Sequence, residues 1–357
     1  MQQRLTVALL FGGRSGEHEV SLRSAASVAA GLAARHDVAC VLVDKQGRWL
    51  LQDGPSPQDA GGEPVFLAPS PQDGGRLRRL ADARALRRPD VYFPVLHGTY
   101  GEDGTVQGLF ELAAVPYVGA GVAASAAAMD KEMMKALFAQ AGLPQVEHRT
   151  LREGGRDPRA LASLVRDLGL PLFVKPANLG SSVGISKVKE EGDLAAALER
   201  AFRYDRKVVV ERGHDVREIE LSVLGNERPE ASVPGEVVPD REFYDYDSKY
   251  AEDSRTGLFI PAPLDEAQVA EARRLAVAAF QAVDGAGYAR VDLFLERKSG
   301  RFLVNEINTI PGFTSISMYP KLWQASGLPY ASLLERLVDL ALERQAARAR
   351  LVTDYRA

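Results

Sequence analysis

The sequence predicts an α/β protein of more than one domain, with a parallel sheet and covering helices in its first third. Three observations carry this. The chain has 357 residues, and at about 150 residues per domain that length suits two or three cores. Hydrophobic residues make up 46% and charged residues 26%, the balance of a globular enzyme rather than a disordered chain. Short β-rich runs alternate with helical patterns from Leu5 onward, the order from which parallel sheets are built.

The elements follow in chain order. Leu5–Phe11 and Val38–Val43 read as strands, separated by a helix with Leu22, Ala25, Ala26, Ala29 and Ala33 on one face. Val91–Leu96 and Val115–Val118 are further expected strands, around a helix at Thr105–Ala114. Between them Asp53–Arg88 reads as irregular, with Ser-Pro-Gln-Asp turns at 56–59 and 70–73 around a short strand. Its arginines at 76, 78, 79, 84, 87 and 88 interleave with Asp73, Asp82 and Asp90, which marks a solvated helix face rather than a phosphate or RNA patch. A second unit begins near Asp130: helices at Asp130–Ala141 and Pro158–Leu168, strands at Leu172–Lys175 and Ile185–Val188, a helix at Asp193–Tyr204 and a strand at Lys207–Glu211. Then come a strand at Glu218–Leu224, a polar aromatic loop, a helix at Asp265–Val283, a hairpin joining Tyr288–Glu296 to Arg301–Ile307, and a last helix from about Tyr330.

Composition excludes several classes. Lys and Arg number 44 against 48 Asp and Glu, a net charge of −4, so no global basic field exists to hold nucleic acid. The single cysteine, Cys40, permits neither an internal disulfide nor a cysteine zinc cage, and it fits a reducing cytoplasm. Its apolar run marks a buried strand residue rather than a nucleophile. The apolar start Leu5–Phe11 leads into Gly12-Gly13-Arg14-Ser15 without an export cleavage site. The uncharged stretch Leu112–Met129, broken by Pro116, Gly119 and Gly121, reads as strand, turn and helix rather than a membrane span.

Four stretches carry chemistry. Gly12–Ser21 sits between a strand and a helix, where glycines permit close backbone approach and the helix start favours anions. Glu17 there suits either a ligand contact or a complement to the helix dipole. The stretch has neither a dinucleotide fingerprint nor a P-loop lysine. Lys175–Gly184 puts a lysine at a strand end before a Gly/Ser turn containing Ser181 and Ser182. A point charge followed by N–H and hydroxyl donors suits phosphate, although such turns also serve as plain hairpins. In the hairpin, pairing about Ser299 sets Asp292 opposite Glu306 and Arg290 opposite Asn308, unless a bulge shifts the register. Phe294 and Val304 then fall on that same face. Opposed carboxylates repel, and a hard divalent cation such as Mg²⁺ would neutralise them. The competing reading is a solvent-facing edge. Lastly, Pro311–Ser317 offers N–H and hydroxyl donors to a carboxylate or oxyanion, with Arg290 nearby.

Together these segments resemble the D-alanine–D-alanine ligase family of the ATP-grasp superfamily. The resemblance rests on Gly12–Ser21, Leu96–Gly104, Met129-Asp130-Lys131, Lys175–Gly184, Tyr244–Tyr250, Arg290-Val291-Asp292 and Asn305–Ser317, and covers nearly the whole chain. It implies a three-domain ATP-grasp architecture: an N-terminal, Rossmann-like substrate domain over 1–120, a central subdomain over 121–212, and a C-terminal subdomain over 213–357 with a mobile loop at 236–255. It implies ligation of two D-alanines through a D-alanyl phosphate, for peptidoglycan synthesis, with ATP as co-substrate and two Mg²⁺ or Mn²⁺. By the same resemblance Lys131, Lys175, Ser181 and Ser182 would serve the nucleotide phosphates and Lys249 the γ-phosphate. Glu211, Arg212, Glu218 and Phe294 would serve adenine and ribose. Asp292, Glu306 and Asn308 would hold the metals. Glu17 would receive the first D-alanine's ammonium and His97 would lie near its carboxylate. Arg290 and the Gly312 N–H would form the oxyanion site, and Ser317 and Met318 would hold the second D-alanine's carboxylate. Ser181 and Tyr250 would join Glu17 in a hydrogen-bonded set, the tyrosine favouring a dipeptide over a D-lactate ester. Mild departures stand at Ala120, Met318 and Arg212. A cytoplasmic homodimer, without nucleic acid or membrane partners, completes the expectation. The rivals are another ATP-grasp carboxylate–amine ligase, including the D-lactate-using relative, and a nucleotide-binding module without turnover.

Overall fold

The computed structural model describes residues 4–54, 56–155, 158–238, 257–314 and 316–352. Three sheets organise them. The first contains β1 (Thr6–Gly12), β2 (Asp37–Val43), β3 (Trp49–Leu51), β4 (Glu63–Leu67), β5 (Leu77–Arg79), β6 (Ala85–Arg87) and β7 (Val91–Pro94), in the order β6-β5-β4-β3-β2-β1-β7. β1 is parallel to both β2 and β7, whereas β2 to β6 pair antiparallel. The apolar continuity of β1 follows from burial on both faces. Val7, Leu9 and Phe11 pack toward α1 (His18–Leu32), while Ala8 and Leu10 pack with α2 (Thr105–Ala113).

Two expectations are corrected in this sheet. Val115–Val118 forms no strand and makes one bridge, Tyr92 to Tyr117. The arginine-rich segment is not a helix face. Its strands β5 and β6 extend the sheet, and Arg78 and Arg79 pair with Asp73, Glu63 and Asp82. Ion pairs from β5 to the short 3-10 turn before it, to β4 and to the β5–β6 turn interleave the charges as a solvated helix face would, which is why the pattern misleads. Cys40 is fully buried on β2, and burial pushes its thiol up to about 12.

After α3 (Val122–Met129) and α4 (Lys131–Gln140) comes the second sheet: β8 (His148–Arg152), β9 (Leu172–Pro176), β10 (Ser186–Val188) and β11 (Lys207–Arg212), ordered β10-β9-β11-β8 and antiparallel. Helices α5 (Pro158–Leu168) and α6 (Leu194–Phe202) supply its core through Leu164, Leu168, Leu194 and Leu198. The third sheet holds β12 (Val216–Gly225), β13 (Glu230–Ala231), β14 (Gly235–Val238), β15 (Gly257–Phe259), β16 (Gly287–Glu296) and β17 (Phe302–Asn308). One face packs on α7 (Glu266–Ala282), capped by Asp265 and Gln268 in a reciprocal box. Last come α8 (Met318–Ala325) and α9 (Tyr330–Arg348), and α9 sends Leu333, Leu334, Leu337 and Val338 into the core beneath the first sheet. No described helix is long and apolar enough to cross a membrane.

Candidate active site

The polar face of the third sheet is a lattice of three strands. Glu220, Asp292 and Glu306 lie abreast on β12, β16 and β17, and the next row holds Ser222, Arg290 and Asn308. Asp292 faces Glu306 and Arg290 faces Asn308, as the turn at 298–300 predicts. A bulge between Asp292 and Leu293 then shifts the register, so Phe294 meets Leu303 and Val304 meets Leu293. Val304 is therefore not on the polar face. It is fully buried in the core against α7, because an extra residue on one strand reverses the alternation beyond it.

Arg290 grips Asp292 with two hydrogen bonds, at 2.6 and 2.7 Å, and reaches Glu220 at 3.2 Å. Burial opposes its charge, but Asp292 and Glu220 outweigh that and hold the guanidinium well above its ordinary value. The Asn308 amide donates to Asp292 at 3.2 Å. No group of three His, Cys, Asp or Glu side chains already shaped as a metal cage occurs among the described residues. The donor set nevertheless fits a hard cation, since two carboxylates and an amide oxygen on adjacent strands are oxygen ligands of the kind Mg²⁺ prefers.

Across from this face, Lys175 is the last residue but one of β9 and its ammonium meets Glu211 of β11 at 2.6 Å. Burial works against the Lys175 charge, yet Glu211 holds its proton more tightly than in an ordinary lysine. Lys131, first residue of α4, donates to the Leu179 carbonyl at 2.6 Å, and burial lowers its proton affinity, with Glu306 opposing. Glu218 and Phe294 are cross-strand partners and half-buried. Arg212 is exposed, with its guanidinium near Glu147 at 3.9 Å, so its side chain turns from this group. Lys249 and Tyr250 lie outside the described residues.

The 175–184 turn brings two sheets together. Ser181 and Ser182 adopt positive φ values of 51° and 59°, unusual for residues with side chains, and the Ser181 hydroxyl donates to Glu17. Glu17 stands immediately before α1. Gly12, at φ 89°, places its N–H 2.8 Å from the Ser21 hydroxyl, and a Cβ there would lie 2.4 Å from the Val43 carbonyl. Gly98 matters equally, because a Cβ would fall 2.8 Å from Glu17 Oε2.

His97 does not present a free ring nitrogen. Nδ1 lies 2.8 Å from the Ile310 carbonyl, which makes it the donor, and Nε2 lies 3.1 Å from the Ser24 hydroxyl. Burial lowers the imidazole's proton affinity and keeps it neutral. His97 thus holds the segment that leads to Gly312. Thr314 and Ser317 close that segment through a 2.7 Å hydroxyl contact. Ser317 precedes α8, while the Met318 side chain is buried with Val237 and Leu322. Only the backbone N–H of Met318, at a helix start, can therefore meet an anion.

Sequence reasoning missed three residues. Glu220 had a signal, standing two positions from Glu218 on one strand face. Lys135 had one too, a helical turn beyond Lys131. Glu102 had none beyond its place in the 96–104 motif. It accepts the Gly98 N–H at 2.7 Å, and burial together with the charge of Glu17 raises its carboxyl to about 8. Glu102, Lys131, Gly180, Glu306, Asn308 and Thr309 line one narrow cleft.

Comparison with known proteins gives the family. Family models described as D-ala D-ala ligase N-terminus and D-ala D-ala ligase C-terminus match residues 6–120 and 137–339. The chain is 52% identical to the D-alanine--D-alanine ligase of Heliobacterium modesticaldum, over 98% of each chain. It belongs to the D-alanine–D-alanine ligase family. The ligase is also 49% identical to the Solibacter usitatus enzyme of that name over 99% of each chain. Among solved structures, the D-alanine-D-alanine ligase from Coxiella burnetii matches with a TM-score of 0.85 at 37% identity, covering 98% of this chain and 97% of that one. The VanG D-Ala:D-Ser ligase from Enterococcus faecalis matches with a TM-score of 0.85 at 33% identity, covering 95% of this chain and all of that one. The enzyme thus has the ATP-grasp fold and makes D-alanyl-D-alanine for the cell wall from D-alanine and ATP.

Proposed function

We propose that the cleft between the second and third sheets takes ATP and that the first sheet's turn presents the amino acid to it. The observation that carries this is the Ser181–Glu17 bond, which joins a phosphate-type turn to a carboxylate at the start of α1. Lys131, Lys175, Ser181, Ser182 and Lys249 serve the phosphates; Glu211, Arg212, Glu218 and Phe294 serve adenine and ribose, Arg212 through its backbone. Glu17 receives the first D-alanine's ammonium. The carboxylate of that D-alanine takes the γ-phosphoryl group of ATP, releasing ADP, and the amine of the second D-alanine attacks the acyl phosphate, loses its proton and expels inorganic phosphate. Arg290 and the Gly312 N–H take the oxyanion charge, with His97 positioning that segment. Ser317 and the Met318 N–H hold the second carboxylate, and Tyr250 completes the set with Glu17 and Ser181. Asp292, Glu306 and Asn308 would hold two Mg²⁺ or Mn²⁺ ions. Such ions, when bound, neutralise phosphate charge. Closing the turn over the cleft excludes water from the acyl phosphate.

In this reading 1–120, 121–212 and 213–357 act as three working units; of the loop expected at 236–255, residues 236–238 belong to β14 instead, because they pair with β12 and β15, and 239–255 lie outside the described residues. A cytoplasmic homodimer through the N-terminal unit remains a proposal by family resemblance. Phosphate release from ATP and Mg²⁺, with and without D-alanine, and mass spectrometry of the product test the whole scheme. One dipeptide per ATP is expected. Preference for D-lactate, D-serine or glycine as acceptor would move the acceptor assignment, and silence with every acceptor would sink the scheme. Glu306→Gln should lose at least about 100-fold in kcat while the protein stays folded. Near-normal turnover in that variant would remove the metal assignment.

A further inference from the structure

Lys135 is an ammonium sealed inside the protein. It is 1% exposed, on the turn of α4 after Lys131, and its Nζ lies 2.8 Å from Glu211 Oε1. That contact is an ion pair without hydrogen-bond alignment, and Nζ has no other acceptor among the described residues. The other oxygen of Glu211 meets Lys175 at 2.6 Å. One buried carboxylate therefore carries two lysines, one more cation than its charge requires. The two are not equivalent. Lys175 lies next to the end of β9, where the 175–184 turn begins, and its side chain is 11% exposed, whereas Lys135 is held in a helix and closed to solvent.

A buried carboxylate that loses its only partner is strongly destabilised. If Lys175 were that only partner, turning to a phosphate would strand Glu211 in low dielectric, and nucleotide binding would have to work against that. With Lys135 fixed on Oε1, Lys175 can leave Oε2 while the carboxylate stays ionised, and Oε2 becomes free to accept an N–H from the base. We propose that Lys135 is a positioning residue of the nucleotide site, a standing counterion that keeps Glu211 oriented and releases Lys175 to the phosphates. This rests on the assignment of Lys175 and Glu211 to ATP above. It adds a residue that touches no substrate.

The test is a double-mutant cycle on the full-length enzyme, with ATP and D-alanine kinetics and a thermal melt for each variant. Lys135→Met keeps the stem and removes the charge. It should raise KM for ATP at least tenfold, because Lys175 stays on Glu211, while KM for D-alanine moves less than twofold. In a Glu211→Gln background the same change should move KM for ATP less than twofold, since no carboxylate remains to be balanced. Equal effects in both backgrounds, or no change in KM for ATP, would overturn the proposal. Should Lys135→Met alone fail to fold, the pair Lys135→Met/Glu211→Gln decides. Matching Glu211→Gln in KM for ATP supports the counterion role, and a further rise defeats it. Lys175→Met separates this from the underlying assignment: if that variant binds ATP normally, the nucleotide site itself has been misplaced.

Discussion

Burial and the charge of Glu17 raise the Glu102 carboxyl to about 8, and a shift of that direction has a consequence for stability. Between its ordinary value of 4.5 and about 8, the folded chain holds a proton that the unfolded chain has released. Stability from this group is therefore fully present below 4.5 and declines as pH rises through the folded value. Thermal midpoints from about pH 5 to about pH 9 should fall more steeply in the wild type than in Glu102→Gln, which has no proton to lose. Parallel curves would show that Glu102 is not protonated in the folded protein. This residue illustrates what the sequence hides. Glu102 stands in a polar run, and its burial depends on Gly98, Glu17 and the 310 segment meeting there, contacts made across more than two hundred residues of chain. The places of Glu17 and Lys175, by contrast, are legible because one stands at a helix start beside Gly16 and the other near a strand end ahead of a Gly/Ser turn.

At the scale of elements the hairpin was legible up to its bulge. The turn at 298–300 and period-two alternation give the Asp292–Glu306 and Arg290–Asn308 pairs correctly. Alternation alone cannot place a bulge, since nothing in the residue types around Asn305 demands one, and Val304 is assigned to the wrong face as a result. Val304→Ala should accordingly destabilise the protein by about 2 kcal/mol, the cost of a small cavity in a packed core, and leave KM for ATP and D-alanine unchanged. A denaturant melt and steady-state kinetics check it; altered KM values with unchanged stability would return Val304 to the site face. The 53–88 region was poorly legible because its strands are three to five residues long, too short for alternation to register. The fold gives it work all the same. Asp59 meets the Nε2 of buried His18 at 2.8 Å, and Nδ1 meets the Gly13 carbonyl at 2.8 Å, so this region braces the turn that carries Glu17.

For the whole molecule, the last long helix belongs physically to the first sheet. Besides its leucines in that core, Arg344 stacks on Tyr117 at 4.1 Å and donates to the Tyr117 and Gly119 carbonyls, and Arg348 pairs with Glu111. Sequence order suggests a C-terminal appendage of the third sheet; an amphipathic stripe shows that a face is covered but not by what. Leu337 is fully buried in the shared core, and Leu337→Ala should lower stability by about 3 kcal/mol in a single cooperative transition. Two separated melting steps would mean that the first sheet unfolds without α9.

The hydroxyl of Ser181 and the carboxylate of Glu17 come from different sheets, so whatever strengthens their contact acts on both ligands at once. Thermodynamic reciprocity then fixes a number in advance: the factor by which a non-hydrolysable ATP analogue tightens D-alanine must equal the factor by which D-alanine tightens the analogue. Calorimetry on the wild type should find the two factors equal and above one, and on Ser181→Ala both should approach one. If coupling persists in that variant, the message between nucleotide and amino acid travels by another route. The site would then be two neighbouring pockets that happen to share a wall.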